Sequence, residues 1–329
     1  MKKCNKCLLP ENFPDAMIDK SGLCVYCRKR ATSHDYAHEE PRFLEIIHEV
    51  AKESKFQYDC VVCYSGGKDS TYTLIKTVKK YSLRPLAFTL DNGFISQKAK
   101  ENIQLICDSL EVDLLTVRPN TKQINAMFKA TLSDKIFSTN VLKRLSSACY
   151  ACITFVNYQA IQIAIEKGLK IIISGFTHGQ VPKAVFPFKN EVLKTTFIEM
   201  KSQLSKKLGF DADNLYPQID FSEIGEDYTL YNVNPLLFEA YDEDIMLREI
   251  KEYGWERPED VDSCSSNCLI NKVGNYYHNK FYGYHPYQYE VSALIRGGAI
   301  AKEKGREMLM DTKIDKEAMA IIEKLGLEY

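Results

Sequence analysis

The chain has 329 residues, with 43 Lys and Arg against 44 Asp and Glu and a formal net charge of −1. Hydrophobic residues at 45% and charged residues at 26% are ordinary globular values, so a sizeable core is expected and wholesale disorder is excluded. The balanced charge removes any general electrostatic case for nucleic acid, no run approaches the roughly 18 apolar residues of a membrane span, and Met1–Cys7 has no apolar signal-peptide core, so a cytoplasmic location with no membrane partner is expected.

The 11 cysteines are clustered, which in a cytosolic chain favours metal or redox chemistry over disulfides. Residues 1–30 hold two C-x-x-C knuckles, Cys4-Asn-Lys-Cys7 and Cys24-Val-Tyr-Cys27, with Pro10, Pro14 and Gly22 between them to make turns. So short a segment buries too little surface to fold alone. Four thiolates leave no open coordination position, so the spacing predicts a structural Zn²⁺ ribbon. Residues 31–57 form a linker, in which Phe43, Leu44, Ile46, Ile47, Val50 and Ala51 predict a helix over 42–55.

Residues 58–182 alternate strand and helix patterns. Strands are expected at 58–64, 85–90, 113–117 and 170–174, and helices after Ser70 to about Tyr81, then at 97–110, 121–133 and 155–167. That alternation predicts an α/β domain with a doubly wound parallel sheet and ligand sites beyond the strands' carboxyl ends. The turn Ser65-Gly66-Gly67-Lys68-Asp69-Ser70 stands where such a fold binds phosphate. Its glycines admit an anion close to the backbone, Lys68 adds charge, Ser65 and Ser70 add hydroxyls, and Asp69 is placed to orient them or to help hold Mg²⁺. The spacing is neither the Walker nor the dinucleotide pattern.

Cys60 and Cys63 fall on a strand, where i and i+3 face opposite sides, and with Cys107 they read as buried small residues. Cys149-Tyr-Ala-Cys152 opens a helix, whose amides lower a thiol pKa. Cluster ligation, a redox disulfide and simple packing all fit that pair. Cys264-Ser-Ser-Asn-Cys268 lies in a polar loop and is not core.

Residues 183–329 read as a mostly helical C-terminal region. Lys183, Lys189, Lys194, Lys201, Lys206 and Lys207 surround a helix expected at 195–208, and they fit either a solvated face or a phosphate or RNA contact. Acidic, Tyr-rich stretches follow at 223–231 and 239–253, then an aromatic cluster from Tyr276 to Tyr287 around Gly283. Helices are expected near 287–296 and 302–325, and Arg296 beside Gly297-Gly298 is a candidate anion contact.

Ser65–Ser70 resembles the signature of the N-type ATP pyrophosphatases, the PP-loop or adenine nucleotide alpha-hydrolase superfamily. The likeness covers about residues 56–180. It implies ATP cleavage between the α- and β-phosphates, adenylation of a carbonyl oxygen, and displacement of AMP by nitrogen or sulfur. Ser65–Ser70 would then hold pyrophosphate, with Asp91 and Asn92 beside adenosine and Gly175 among the ATP contacts. Lys3–Arg28 with Tyr58–Asn92 is similar to the N-acetyl sugar amidotransferases, which would take ammonia from a glutaminase partner. Cys149 and Cys152, with Cys268 or Cys264, resemble the three cysteines of tRNA thiolation enzymes, which hold a 4Fe–4S cluster. The loop Gly175-Phe-Thr-His-Gly-Gln180 departs from that branch by lacking acidic residues, leaving Thr177, His178 and Gln180 as neutral substitutes. The favoured expectation is an ATP-dependent sulfurtransferase with Lys68, Asp69, Cys149 and Cys152 in catalysis. It would act on a small molecule or a tRNA base with a sulfide donor; amidation is the alternative and a homodimer is allowed.

Overall fold

The structure, a computed structural model, describes residues 2–29, 36–53, 57–208, 219–221, 224–310 and 314–329. Glu223 and the side chains of Lys201 and Lys207, which belong to the acidic and basic stretches read from the sequence, lie outside the described residues.

The N-terminal segment is a set of turns ending in the short helix α1 (Val25–Arg28), with an antiparallel bridge between Lys3 and Pro10. Its own apolar content is small: Leu9, Phe13 and Ala16 are buried with the four cysteines and with Tyr284 from the far end of the chain. Helix α2 (Glu40–Glu53) places Phe43 and Ile46 inward, Phe43 edge-on to Tyr81 at 5.0 Å.

Strand β1 (Cys60–Cys63) leads into α3 (Lys68–Lys79), then come β2 (Pro85–Leu90), α4 (Gln97–Leu110), β3 (Leu114–Val117), α5 (Thr121–Ser133), α6 (Ser147–Glu166) and β4 (Ile171–Ile173). Two further strands, β5 (Val185–Lys189) and β6 (Thr229–Val233), flank α7 (Asn190–Leu208). Helices α8 (Glu243–Glu252), α9 (Ile270–Tyr282), α10 (Gln288–Gly297), α11 (Lys302–Met310) and α12 (Lys316–Leu325) complete the chain. The six strands run in the order β3-β2-β1-β4-β6-β5, with every pair parallel except β5–β6.

One face of the sheet packs on α5, α6, α9 and α12 through residues such as Met127, Phe155, Val273 and Ile322. The other packs on α2, α3, α4 and α8 through Phe43, Leu74, Ile106 and Ile250. The chain leaves β1 for β2 on one side and returns to β4 on the other, so the order reverses between β1 and β4, and the turns after these strands open a crevice there.

Three features differ from the sequence reading. The helix that Cys149 and Cys152 open and the one expected at 155–167 are a single helix, α6, which starts at Ser147 where Ser146 caps it through a bond from the Cys149 amide. It is long and apolar enough by composition to cross a membrane, although Thr, Asn, Gln and Tyr interrupt any continuous apolar run. Ala148, Ala151, Phe155, Tyr158 and Ile163 bury it in the sheet's core instead. Strands β5 and β6 add to the sheet from a region expected to be mostly helical; Pro187 hid the first, since proline is tolerated only at an edge.

Trp255, 1% exposed, donates from Nε1 to the Gly66 carbonyl at 2.9 Å and so ties the segment after α8 to the turn after β1. Trp255→Phe keeps most of the packing and leaves that buried carbonyl unpaired. The expected loss is about 1–3 kcal/mol, read as a lower urea midpoint with unchanged slope.

Candidate active site and metal centres

The turn between β1 and α3 is built to bring backbone, not side chains, to the crevice. Gly66 has φ +75°, and a Cβ there would stand 2.5 Å from the Ala99 carbonyl. A Cβ on Gly67 would stand 2.9 Å from Ser266 Oγ. The hydroxyls close the turn on itself: Ser65 N donates to Ser70 Oγ at 3.2 Å, and Ser70 Oγ donates to the Gly67 carbonyl at 3.0 Å. Gly175, after β4, faces the same turn, and its missing Cβ would lie 3.0 Å from the Ser70 backbone. Three glycines thus sit where any side chain would close the gap.

Lys68 Nζ meets Asp69 Oδ1 at 2.8 Å, the Tyr241 hydroxyl at 3.1 Å and Glu243 at 3.7 Å. Burial works against its ammonium, but Asp69, Tyr241 and Glu243 outweigh it and hold the Lys68 pKa above the ordinary lysine range. Glu243 is shared with Lys304 at 2.6 Å, so helices α8 and α11 both bear on this charge.

The loop before α9 reaches across the turn. Ser266 Oγ accepts from the Lys68 amide at 3.0 Å, Ser96 N donates to the Asn267 carbonyl at 2.9 Å, and Cys268 bridges Ile95 in antiparallel fashion. This brings Cys268 to the first turn of α6. Asn92 Nδ2 lies 3.5 Å from Cys152 Sγ and 3.8 Å from Cys268 Sγ, placing one amide between two sulfurs. Cys149 Sγ donates to Asn271 Oδ1 at 3.1 Å; Asn271 also accepts from the Tyr287 hydroxyl and donates to Asp262. Cys264 turns its sulfur to the Met308 carbonyl at 3.5 Å. The sulfurs of Cys152 and Cys268 therefore meet at Asn92, with Cys149 one helical turn away on the same cavity wall; Cys264 lines that cavity too and gives its sulfur to the Met308 carbonyl.

A helix opening should lower the thiol pKa of Cys149 and Cys152, but burial prevails and pushes each up to about 12. Burial also raises Cys268, against the bond from Asn92. Three protonated, softly polar thiols converge here without making a disulfide. As donors they suit a thiophilic centre whose positive charge displaces the protons. One cavity of about 320 Å³, in the range of small-molecule sites, is lined by Ser65, Gly67, Asp69 and Ser70 of the turn, by Asn92 and Gly175, and by Cys149, Cys152 and Cys268 together with Cys63 and Cys264.

Asp91, expected beside adenosine, is 3.3 Å from Lys100. Cys60 and Cys107 are buried in the core, as their spacing suggests, but Cys63 is partly open to the cavity. In the loop after β4, Thr177 N donates to Gln180 Oε1 at 2.8 Å and Gln180 Nε2 donates to Glu290 at 3.1 Å, so α10 brings a carboxyl that the loop's own sequence lacks. Burial pushes Glu290 up to about 7, against the bond from Gln180. Glu290, Ser266, Asn271 and Tyr287 were not singled out for the site from the sequence. They come from segments remote from the turn, and only the Tyr-rich pattern around Gly283 hinted at one of them.

The second centre is separate. The sulfurs of Cys4, Cys7, Cys24 and Cys27 all lie within 4.8 Å of one another, with Cys4–Cys27 and Cys7–Cys24 both at 3.6 Å. Thiolates about 2.3 Å from one tetrahedral ion stand about 3.8 Å apart, so this donor set fits a single closed ion. Cys7 is the thiol held well below its usual range, first by the bond with Cys24 and further by Arg296, whose Nη1 is 3.5 Å from its sulfur.

No protein-family model matches the chain. An uncharacterised protein of Methanocaldococcus jannaschii is 25% identical over 287 residues, covering 86% of this chain and 83% of its own length. Among solved structures, the U34-tRNA thiolase NcsA from Methanococcus maripaludis with its 4Fe–4S cluster aligns over 100% of this chain and 98% of its own at 17% identity and a TM-score of 0.34. A predicted subunit of tRNA methyltransferase from Methanocaldococcus jannaschii aligns over 70% of this chain and 91% of its own at 18% identity and a TM-score of 0.32. TM-scores of this size leave the reaction to be argued from the site's own residues.

The four-thiol geometry predicts one tightly held divalent ion per chain. Cys24→Ser should lose it and destabilise the N-terminal segment, with metal analysis and a thermal melt as the measurements. Wild-type metal content in a fully stable variant contradicts the assignment.

Proposed function

We propose that this chain is an ATP-dependent sulfurtransferase that adenylates a carbonyl or amide oxygen of its substrate and replaces that oxygen with sulfur. One observation carries the reading: a single cavity joins a glycine-built phosphate turn to three convergent thiols. The superfamily signature at Ser65–Ser70, read from the sequence, gives the turn its chemistry. The division proposed is a zinc ribbon at 1–30, a linker helix at 31–57, the ATP domain at 58–182 and a substrate-binding region at 183–329, in a cytoplasmic enzyme.

In this scheme the amides and hydroxyls of Ser65–Ser70 hold the β- and γ-phosphates at the start of α3, where the helix favours negative charge. Gly175 leaves room for the nucleotide, and Asp69 helps hold Mg²⁺. The substrate oxygen attacks the α-phosphorus, the α–β bond breaks, and pyrophosphate leaves with the electron pair. Lys68, freed from Asp69 and Glu243 by the incoming phosphates, stabilises the charge that develops there. Sulfide then adds at the activated carbon and AMP departs with the oxygen.

Cys149, Cys152 and Cys268 would hold a 4Fe–4S cluster, which when bound would supply the sulfur-transfer chemistry. Asn92, donating to two of the three sulfurs, fixes their orientation and lowers the charge on them. Glu290 acts one step back from the cavity: it accepts from Gln180, which lines it, and so orients the loop after β4.

Lys68→Ala should slow pyrophosphate release by about 100- to 1,000-fold with the fold intact, the size seen for one preorganised charge. Undiminished ATP turnover removes Lys68 from the chemistry. Anaerobically prepared wild type should be brown and contain iron and sulfide. Cys149→Ala and Cys268→Ala should each lose iron while keeping the ribbon's metal and ATP binding, whereas Cys264→Ala should keep all three. A colourless wild type carrying only the ribbon metal, yet releasing pyrophosphate, would favour amidation with ammonia from a glutaminase.

A further inference from the structure

A second cavity, of about 580 Å³, lies on the other side of the loop after β4 and has no part in the scheme above. The loop is the partition: Gly175, Phe176 and Gln180 line the first cavity, and His178 and Gly179 line the second. Arg144, just before α6, lines both.

The chemistry of this second space is unusual for an unliganded surface. Arg144 and Arg296 lie over the ring of Tyr289, their guanidinium carbons 4.9 and 5.7 Å from its centroid. Among the described residues neither arginine makes a contact ion pair with a carboxylate, although Glu290 feels the charge of Arg144; Arg296 donates to Cys7 Sγ. Two like charges gathered on one ring repel unless an anion joins them. Three acids stand near, and each is otherwise engaged. Glu239 lines the cavity but is held by Lys76 and Lys80 at 2.5 and 2.6 Å; Glu290 accepts from Gln180; Glu39 accepts the amides of Ala184 and Val185. The Arg296 side opens through Gly297 and Gly298, which are exposed and place no side chain across the mouth.

Planar, fork-shaped donors backed by an aromatic face suit a phosphate oxygen pair more than a lone carboxylate or a neutral sugar. We propose that this second cavity binds a phosphate group of the acceptor substrate, held between Arg144 and Arg296, so that the reacting carbonyl passes Arg144 into the first cavity. The proposal rests on reading the first cavity as the adenylation site. It assigns a phosphate-bearing acceptor, whether a nucleotide-sized molecule or a nucleic-acid backbone, in place of a neutral metabolite. It also gives the ribbon a role in the site, because Arg296 reaches both Cys7 and the phosphate.

The test is direct binding to the full chain, with the first cavity saturated by a non-hydrolysable ATP analogue. The probes are inorganic phosphate and a short single-stranded RNA. Arg144→Gln and Arg296→Gln should each weaken phosphate binding about tenfold or more, the cost of one charge-assisted contact. Arg144 touches no cysteine, so its variant keeps the test valid if Arg296→Gln disturbs the ribbon. If the acceptor is a nucleic acid, RNA binding falls in parallel and its salt slope drops by about one per arginine; if it is nucleotide-sized, phosphate binding alone falls. Unchanged phosphate affinity in both variants overturns the proposal. Lys68→Ala should bind phosphate normally; if that variant also turns over ATP undiminished, the adenylation reading fails while the phosphate site stands.

Discussion

The structure turns on how closely other segments approach the chain at Gly66, Gly67 and Gly175: the Ala99 carbonyl, the Ser266 hydroxyl and the Ser70 backbone in turn. Each lies where a single added carbon would meet another segment at 2.5–3.0 Å, and protein interiors have no slack to absorb such a contact. Because these positions are bare, α4 can pack under the turn, the Ser266 loop can lie across it and β4 can deliver its own loop beside it. The thiol group follows from that approach: Cys268 reaches Cys152 because the hydroxyl two residues before it is bonded to the Lys68 amide.

Charge at the turn is arranged as a closed set. Lys68 is enclosed by Asp69, Glu243 and Tyr241, and Glu243 is itself neutralised by Lys304. A bare ammonium in so buried a place would shed its proton; surrounded in this way it keeps it. Under the proposed function, a polyphosphate would take over from the carboxylates without the lysine changing state, an exchange of anions that costs far less than charging a buried amine.

How much of this could be read from the residues varies with the range of the interaction. The first half of the sheet follows from local pattern: the apolar run at 85–90 and the helix at 97–110 have the bounds that periodicity gives them. The ribbon was equally visible, since its four donors lie within 24 residues of one another. The second half was not. Strand β6 carries Thr, Tyr and Asn among its apolar residues, and only its place between β4 and β5 makes it a strand. Helix α9 was concealed because an aromatic cluster gives no clean period, although Val273 and Tyr277 lie one turn apart on its buried side. For the site, the glycine turn at Ser65–Ser70 and the cysteine pair announce themselves by spacing. Glu290, Asn271 and Ser266 do not, because a residue that acts by long-range approach leaves no pattern near itself.

The outer strand of the sheet has a bearing on how copies of this protein meet. Tyr231 sends its amide to the Lys170 carbonyl, towards β4, and Pro187 is its partner in β5. Opposed residues in an antiparallel pair face the same way relative to the gap between them, so the backbone nitrogen of Pro187 is directed out of the sheet. At the centre of the one strand edge that could accept a further strand on this side, the chain has a ring where a donor would be. A neighbouring molecule that tried to extend the sheet from β5 would find the ladder interrupted midway. At this edge the protein thus carries its own stop against strand-to-strand stacking.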